Sequence, residues 1–149
     1  MIKDKNYIIR QISVFIDNRP ATLAEMTRAL ADRNINLRAL SLAETRDFGT
    51  TRIIVADVDA CIEVLKGAGY HFIETDVLTV EVADRPGGMA DVLECIAIEH
   101  ISVEYAYAMI EKREGSAVII LRVDNPGKAI MALRKKNIRL LTGEDIILL

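Results

Sequence analysis

The chain has no tryptophan, three prolines and two cysteines in 149 residues, and each shortage removes a class of protein. Cys61 and Cys95 stand outside any CxxC spacing. That argues against a metal site or a disulfide framework, and both read as small buried hydrophobes. The longest apolar runs, Ala117 to Leu121 and Ile146 to Leu149, fall far below the roughly 20 residues a membrane helix needs. Met1 to Arg10 offers Lys3, Asp4 and Lys5 rather than an apolar stretch, so no secretory signal is read there and a cytoplasmic location is expected. Neither sign of charge dominates: 19 basic against 22 acidic residues leave a net charge of −3. Without a basic stripe there is no footprint for a phosphate backbone, so neither nucleic acid nor membrane is expected as a partner.

What is present is an apolar half, 51% of the residues, distributed as a repeat. Ile12-Ser13-Val14, the turn Asp17-Asn18-Arg19-Pro20 and an apolar helix return 66 residues later as Leu78-Thr79-Val80, Asp84-Arg85-Pro86 and another helix. At the same offset Ile35-Asn36-Leu37 falls on Ile101-Ser102-Val103, Gly49 on Gly115, and Ile53-Ile54-Val55 on Ile119-Ile120-Leu121. The offset then drifts: Gly69 matches Asn137, and Asp76-Val77-Leu78 matches Asp145-Ile146-Ile147.

Within a copy, Ile12, Val14 and Ile16 alternate as a strand. Pro20 suits a first helical position, and Leu23, Met26, Thr27, Leu30 and Ala31 recur at helical spacing until Asn34 stops the helix. Ile35 to Thr45 and Thr50 to Ala56 alternate around a turn at Arg46-Asp47-Phe48-Gly49, which makes a hairpin. Asp59 reads as the N-cap of a short helix closed by Gly69, and His71 to Asp76 is extended. The second copy runs through Val77 to Ala83, Gly87 to Glu99, Ile101 to Glu111, Ser116 to Val123, Pro126 to Lys136, and a last strand from Ile138. This is βαββαβ twice, an α+β fold of two ferredoxin-like domains, residues 1–75 and 76–149, each an antiparallel sheet with its helices on one face. No flexible linker separates them, so they are expected to be held rigidly. Alternation also places Phe15, Leu40, Leu42, Ile54, Ala106, Ala108, Ile110, Val118 and Ile120 on the outer sheet face, an apolar patch that predicts a homodimer.

The chemistry is expected at the turn between first strand and first helix, which occurs twice: Asn18, Arg19, Pro20, Ala21, Thr22 and Leu23 in one copy, Asp84, Arg85, Pro86, Gly87, Gly88 and Met89 in the other. A helix start presents unpaired N–H groups and partial positive charge, which suits a carboxylate. Gly87 and Gly88 let backbone approach a ligand, while Asn18 and Asp84 offer acceptors for an ammonium group. An α-amino acid carries both groups. The same residues also make a sound helix start with no ligand at all.

N-R-P-A-T-L-A-E-M followed by I-N-L, and D-R-P-G-G-M-A followed by I-S-V, resemble the ACT domain family over nearly the whole chain. The resemblance implies a feedback sensor that binds a free amino acid between two domain copies. The regulatory domain of phosphoglycerate dehydrogenase is similar in pattern, and its ligand contacts would fall here on Asn18 and Asn36, matched in the second copy by Asp84 and Ser102. A shared site would bring Asn18 to Leu23 against Ser102 and Val103, and Asp84 to Met89 against Asn36 and Leu37. Ala21 stands where the family has glycine, so the Gly87 site is expected to be the better one. A Gly87→Val change is expected to abolish binding with the fold intact.

Other residues have plainer readings. His100 and Cys95 do not share a helical face and no third group completes a nucleophile. His71 reads as an edge residue, Tyr105 and Tyr107 as core beside Ile101 and Val103, and Arg134-Lys135-Lys136 as a solvated helix end. Arg19 and Arg85 could meet a ligand carboxylate or point to solvent. With no clustered acid, base and nucleophile, no catalytic residue, metal ligand or cofactor is expected and the chain is read as a non-enzyme. The function read is a stand-alone amino acid sensor serving a metabolic enzyme; the alternative is a subunit that assembles with such an enzyme and binds no small molecule.

Overall fold

The computed structural model describes residues 4–44, 48–111 and 113–149, and of Glu44 and Phe48 the backbone alone. The turn expected at Arg46-Asp47-Phe48-Gly49 therefore lies largely outside the described side chains. The chain forms two compact units, Arg10–Thr75 and Asp76–Leu149, the second joined by Met1–Ile9.

The Arg10–Thr75 unit is built from β1 (Ile9–Asp17), α1 (Thr22–Ala31), β2 (Leu37–Glu44), β3 (Phe48–Val55), α2 (Val58–Gly67) and the first residues of β4 (His71–Ala83). The strand order is β2-β3-β1-β4 with antiparallel pairing of β1 and β2 to β3, the split βαβ order of a ferredoxin-like sheet. Arg10 ties β1 to β4, its Nε donating to Glu74 Oε1 at 2.8 Å. The alternation read from sequence is realised: Ile12, Val14 and Ile16 join Met26, Leu30, Ile53, Cys61 and Leu65 in one buried core.

The Asp76–Leu149 unit uses the rest of β4, α3 (Gly88–Ile98), β5 (Val103–Ala108), β6 (Ser116–Val123), α4 (Pro126–Lys135) and α5 (Gly143–Leu148). Here the order is β4-β6-β5, and the far side of β4 is covered by a single bridge, Val80 to Leu140. Two backbone bonds flank it, Glu81 N to Arg139 O and Leu141 N to Thr79 O, both 2.9 Å. The strand expected from Ile138 to the C-terminus is thus reduced to one bridge, and Asp145-Ile146-Ile147 is helical. The reason is local: Thr142 accepts from Asp145 N while Asp145 accepts from Thr142 N at 2.8 Å, a capping box that starts α5. The bond from the Thr142 N–H, helped by one from its hydroxyl, holds the Asp145 carboxyl below the usual carboxylate range. A 3-10 turn at Asp4–Tyr7 packs on α4: Arg134 reaches Asp4 at 2.9 Å and lies 5.6 Å over the Tyr7 ring, so it is not merely a solvated helix end.

Helices α1, α2, α3 and α4 stop in the same way. Asn34, Gly69, His100 and Asn137 take left-handed conformations, with φ of 59°, 79°, 56° and 55°. The following N–H groups of Ile35, Tyr70, Ile101 and Ile138 reach back to Leu30, Leu65, Ile96 and Leu133, the Schellman arrangement. His100 is accounted for as a helix stop. The second helix of each copy starts on an asparagine or aspartate side chain: Asp57, not Asp59, accepts from Ala60 N at 3.0 Å, and Asn125 from Lys128 N at 3.1 Å.

One feature reverses part of the sequence reading. β2 and β5 each carry a bulge: the register shifts between Leu37 and Ala39, and 66 positions on between Val103 and Tyr105. A bulge changes which residues share a face. Leu40 and Leu42 pair with Ile53 and Thr51 on the helix-covered face, and Ala106 and Ala108 pair with Leu121 and Ile119 there too. The tyrosines go the other way, Tyr105 opposite Arg122 and Tyr107 opposite Ile120, with ring centroids 6.5 Å apart. They are not core beside Val103. Of the patch assigned to the outer face, Ile54, Val118 and Ile120 are buried within the single chain, whereas Phe15 and Ile110 are exposed.

Candidate functional site

Both first helices begin after a left-handed residue, Ala21 at φ 71° and Gly87 at φ 86°. Pro20 is therefore not a helical residue; it sits in the turn, and helix α1 starts at Thr22. Neither helix start receives a side-chain cap, so the first N–H groups have no side-chain acceptor. The turn is nonetheless firmly built. Arg19 N donates to Asp17 O at 3.0 Å and Arg85 N to Ala83 O at 2.9 Å.

In the Arg10–Thr75 unit the turn is locked by the Thr22 hydroxyl, which donates to the carbonyl oxygens of Asp17 (2.9 Å) and Arg19 (3.1 Å). In the other unit Gly88 occupies that position, and a Cβ there would lie 2.0 Å from Ala83 O. Backbone packs on backbone with no room for a methyl group. Gly87 has open space apart from Arg85 Nη1 at 3.3 Å. Its positive φ makes a β-branched residue strained, so Gly87→Val would not leave the fold untouched as first expected.

Arg19 and Arg85 have fixed partners. Arg19 meets Glu25 at 3.2 Å, and Arg85 meets Asp91 at 2.6 Å while donating to Pro86 O at 3.0 Å. Each arginine and its acid stand six residues apart, at the same place in each copy. The hydrogen bond to Glu25 raises the Arg19 pKa further, so this guanidinium stays charged at any working pH.

A cavity of about 530 Å³ opens on the first helix start. Its wall includes Asn18, Arg19, Ala21, Thr22 and Leu23, five of the residues read from sequence, together with Ile16, Thr27, Leu40, Leu42 and Gly49. Pro20, Asn36 and Leu37 do not line it; Asn36 is exposed and Leu37 half-buried against the core. Leu40 and Leu42 were missed because strict alternation assigns them to the wrong face. The position of Gly49, matched by Gly115, was the signal available. In the second unit Asp84 and Gly87 are exposed, Gly88 is buried, and Met89 and Val103 pack against that unit's core. Ser102 is exposed, its N donating to Asp124 Oδ1 at 3.1 Å.

Both cysteines are free and buried. Burial pushes the Cys61 thiol up to about 11 and raises that of Cys95 as well, which keeps both protonated. Among the described residues no cluster of histidine, cysteine or acid could hold a metal ion, and no helix is long and apolar enough to cross a membrane.

The family model described as an ACT domain pair matches residues 7–149. Among curated proteins none matches the sequence. Among solved structures, protein BT0572 from Bacteroides thetaiotaomicron is similar at 35% identity and a TM-score of 0.89, with 96% of this chain and 98% of that one covered. The ligand-free regulatory subunit of aspartate kinase from Thermus thermophilus shares the fold at 19% identity and a TM-score of 0.64, covering 87% of this chain and 92% of that one. The corresponding Thermus flavus subunit does so at 18% identity and 0.60, covering 85% and 90%.

Proposed function

Because this chain belongs to the ACT domain pair family, we propose that it binds a free α-amino acid as a regulatory ligand at the starts of α1 and α3. The observation that carries the reading is the cavity of about 530 Å³ walled by Asn18, Arg19, Ala21, Thr22 and Leu23, a volume suited to a small metabolite. The helix N–H groups there favour a carboxylate. The Asn18 side-chain oxygen can accept from an ammonium group. Asp84 would take that role at the second helix start, beside Gly87, Gly88 and Met89. Asn36, Leu37, Ser102 and Val103 enter the proposal as family-implied contacts.

The chain's role would be to sense rather than to catalyse, in the cytoplasm, with a metabolic enzyme reading its ligand state. A ligand does this only by binding one of two states better than the other. That solved relatives of the fold include regulatory subunits of aspartate kinase is in keeping with such a role.

Thermal melting in the presence of each of the twenty amino acids tests the reading. A ligand at about 100 times its Kd adds roughly 2.7 kcal/mol to the native state, a rise of about 5–10 °C for a chain of this size. The second reading, a subunit that assembles with an enzyme and binds no small molecule, draws on the ion pairs of Arg19 and Arg85, which are complete without a ligand. Melting curves that ignore all twenty amino acids would decide for it.

A further inference from the structure

We infer that the amino acid taken by the Arg10–Thr75 unit carries an uncharged aliphatic side chain. The inference rests on the amino-acid reading of the cavity and concerns its remaining wall. Beyond the helix start that wall includes Ile16, Leu40 and Leu42, together with Thr27, whose hydroxyl donates to Leu23 O at 3.0 Å. Gly49 completes it: a Cβ there would sit 3.3 Å from Leu42 Cδ1 and 3.6 Å from Ile16 Cγ1, so two aliphatic ends take the space a side chain would fill.

The charged residues of the lining do not serve a charged ligand side chain. Arg19 is engaged by Glu25 at 3.2 Å. Asp17, also in the lining, lies close enough to act on the Arg19 guanidinium, so its charge is already matched within the protein. A lysine or glutamate side chain laid on Leu40 and Leu42 would shed water against uncharged aliphatic groups, while the two charges of the lining already face partners in the protein. An aliphatic one removes only apolar surface from water, which favours binding.

Calorimetric titration of the full chain with leucine, alanine, lysine and glutamate tests this. Leucine is expected to bind tightest, with affinity falling about fourfold for each methylene-sized group removed toward alanine. Leu42 is 45% exposed, so Leu42→Asp should melt close to the parent and weaken leucine binding at that site about tenfold or more. The milder Leu42→Ala serves if the acid prevents folding. The matched Ala108→Asp change in the other unit should leave this site untouched. Lysine or glutamate binding more tightly than leucine overturns the inference and spares the amino-acid reading, as does unchanged leucine affinity in a folded Leu42 variant. Silence with all four probes and no thermal shift from any of the twenty amino acids removes both.

Discussion

Thr22 and Gly88 hold one position of the repeat and meet opposite demands. In the first unit the hydroxyl of Thr22 reaches the carbonyls of Asp17 and Arg19 and closes the turn with a side chain. In the second, the chain comes so close to itself that a Cβ on Gly88 would lie 2.0 Å from Ala83 O. The same divergence runs along the neighbouring strand, where Leu40 and Leu42 of one copy answer to Ala106 and Ala108 of the other on the same helix-covered face. Two turns with one hydrogen-bond plan and one left-handed entry residue can thus be stabilised by a polar lock or by close packing, and the choice resets the space beside them.

Exchanging residues between the copies is the sharpest way to break this comparison. Gly88→Thr forces atoms into Ala83 O and should cost about 3 kcal/mol or more, read as a loss in urea midpoint. The reverse change, Thr22→Gly, removes the hydroxyl's bonds and loosens the turn, for an expected loss of about 1–2 kcal/mol, whereas Thr22→Ser should keep most of that stability. The copies also differ in how they end, one on the strand residues His71–Thr75 and the other on α5. Thr142→Ala should lower stability by about 1 kcal/mol at neutral pH. Because the folded state holds the Asp145 carboxyl below its ordinary pKa, the capping box's contribution is present above the carboxylate range and is lost as pH falls through the folded pKa. The difference between parent and Asp145→Asn in thermal melting should therefore shrink on acidification. The smallest effect belongs to Ala21, which sits at φ 71°. Glycine there relieves about 1–2 kcal/mol of left-handed strain and forfeits about 0.5–1 kcal/mol of chain entropy, so Ala21→Gly should raise stability by roughly 0.5–1 kcal/mol.

Much of the fold could be read from the letters because the repeat states each element twice. Asn34 and Gly69 mark helix ends by backbone preference alone, and the alternation of Ile12, Val14 and Ile16 shows directly which face is buried. Five cavity residues were legible because a helix start announces itself locally. What could not be read depends on pairing rather than on local preference. Nothing in Leu37-Arg38-Ala39 or Val103-Glu104-Tyr105 says that one residue will be skipped by its neighbour strand. Period-two counting therefore sent Leu40 and Leu42 outward and brought the tyrosines in. The C-terminal Ile146 and Ile147 look like strand by composition, and the Thr142–Asp145 pair overrides that by satisfying both backbone donors at once.

The bulges at Arg38 and Glu104 have a further meaning for how such domains diverge. Leu37 and Leu40 are three apart, a spacing no regular strand can bring to one side, and the extra residue allows it. In a homologue with the same letters and an uninterrupted strand, the counterparts of Ala39, Ser41 and Ala43 would take the inner side, presenting methyl and hydroxyl groups where this chain presents isobutyl groups. The character of the chamber is written partly in the reading frame of β2, and losing the bulge would exchange the residues that form its wall even where the letters are unchanged.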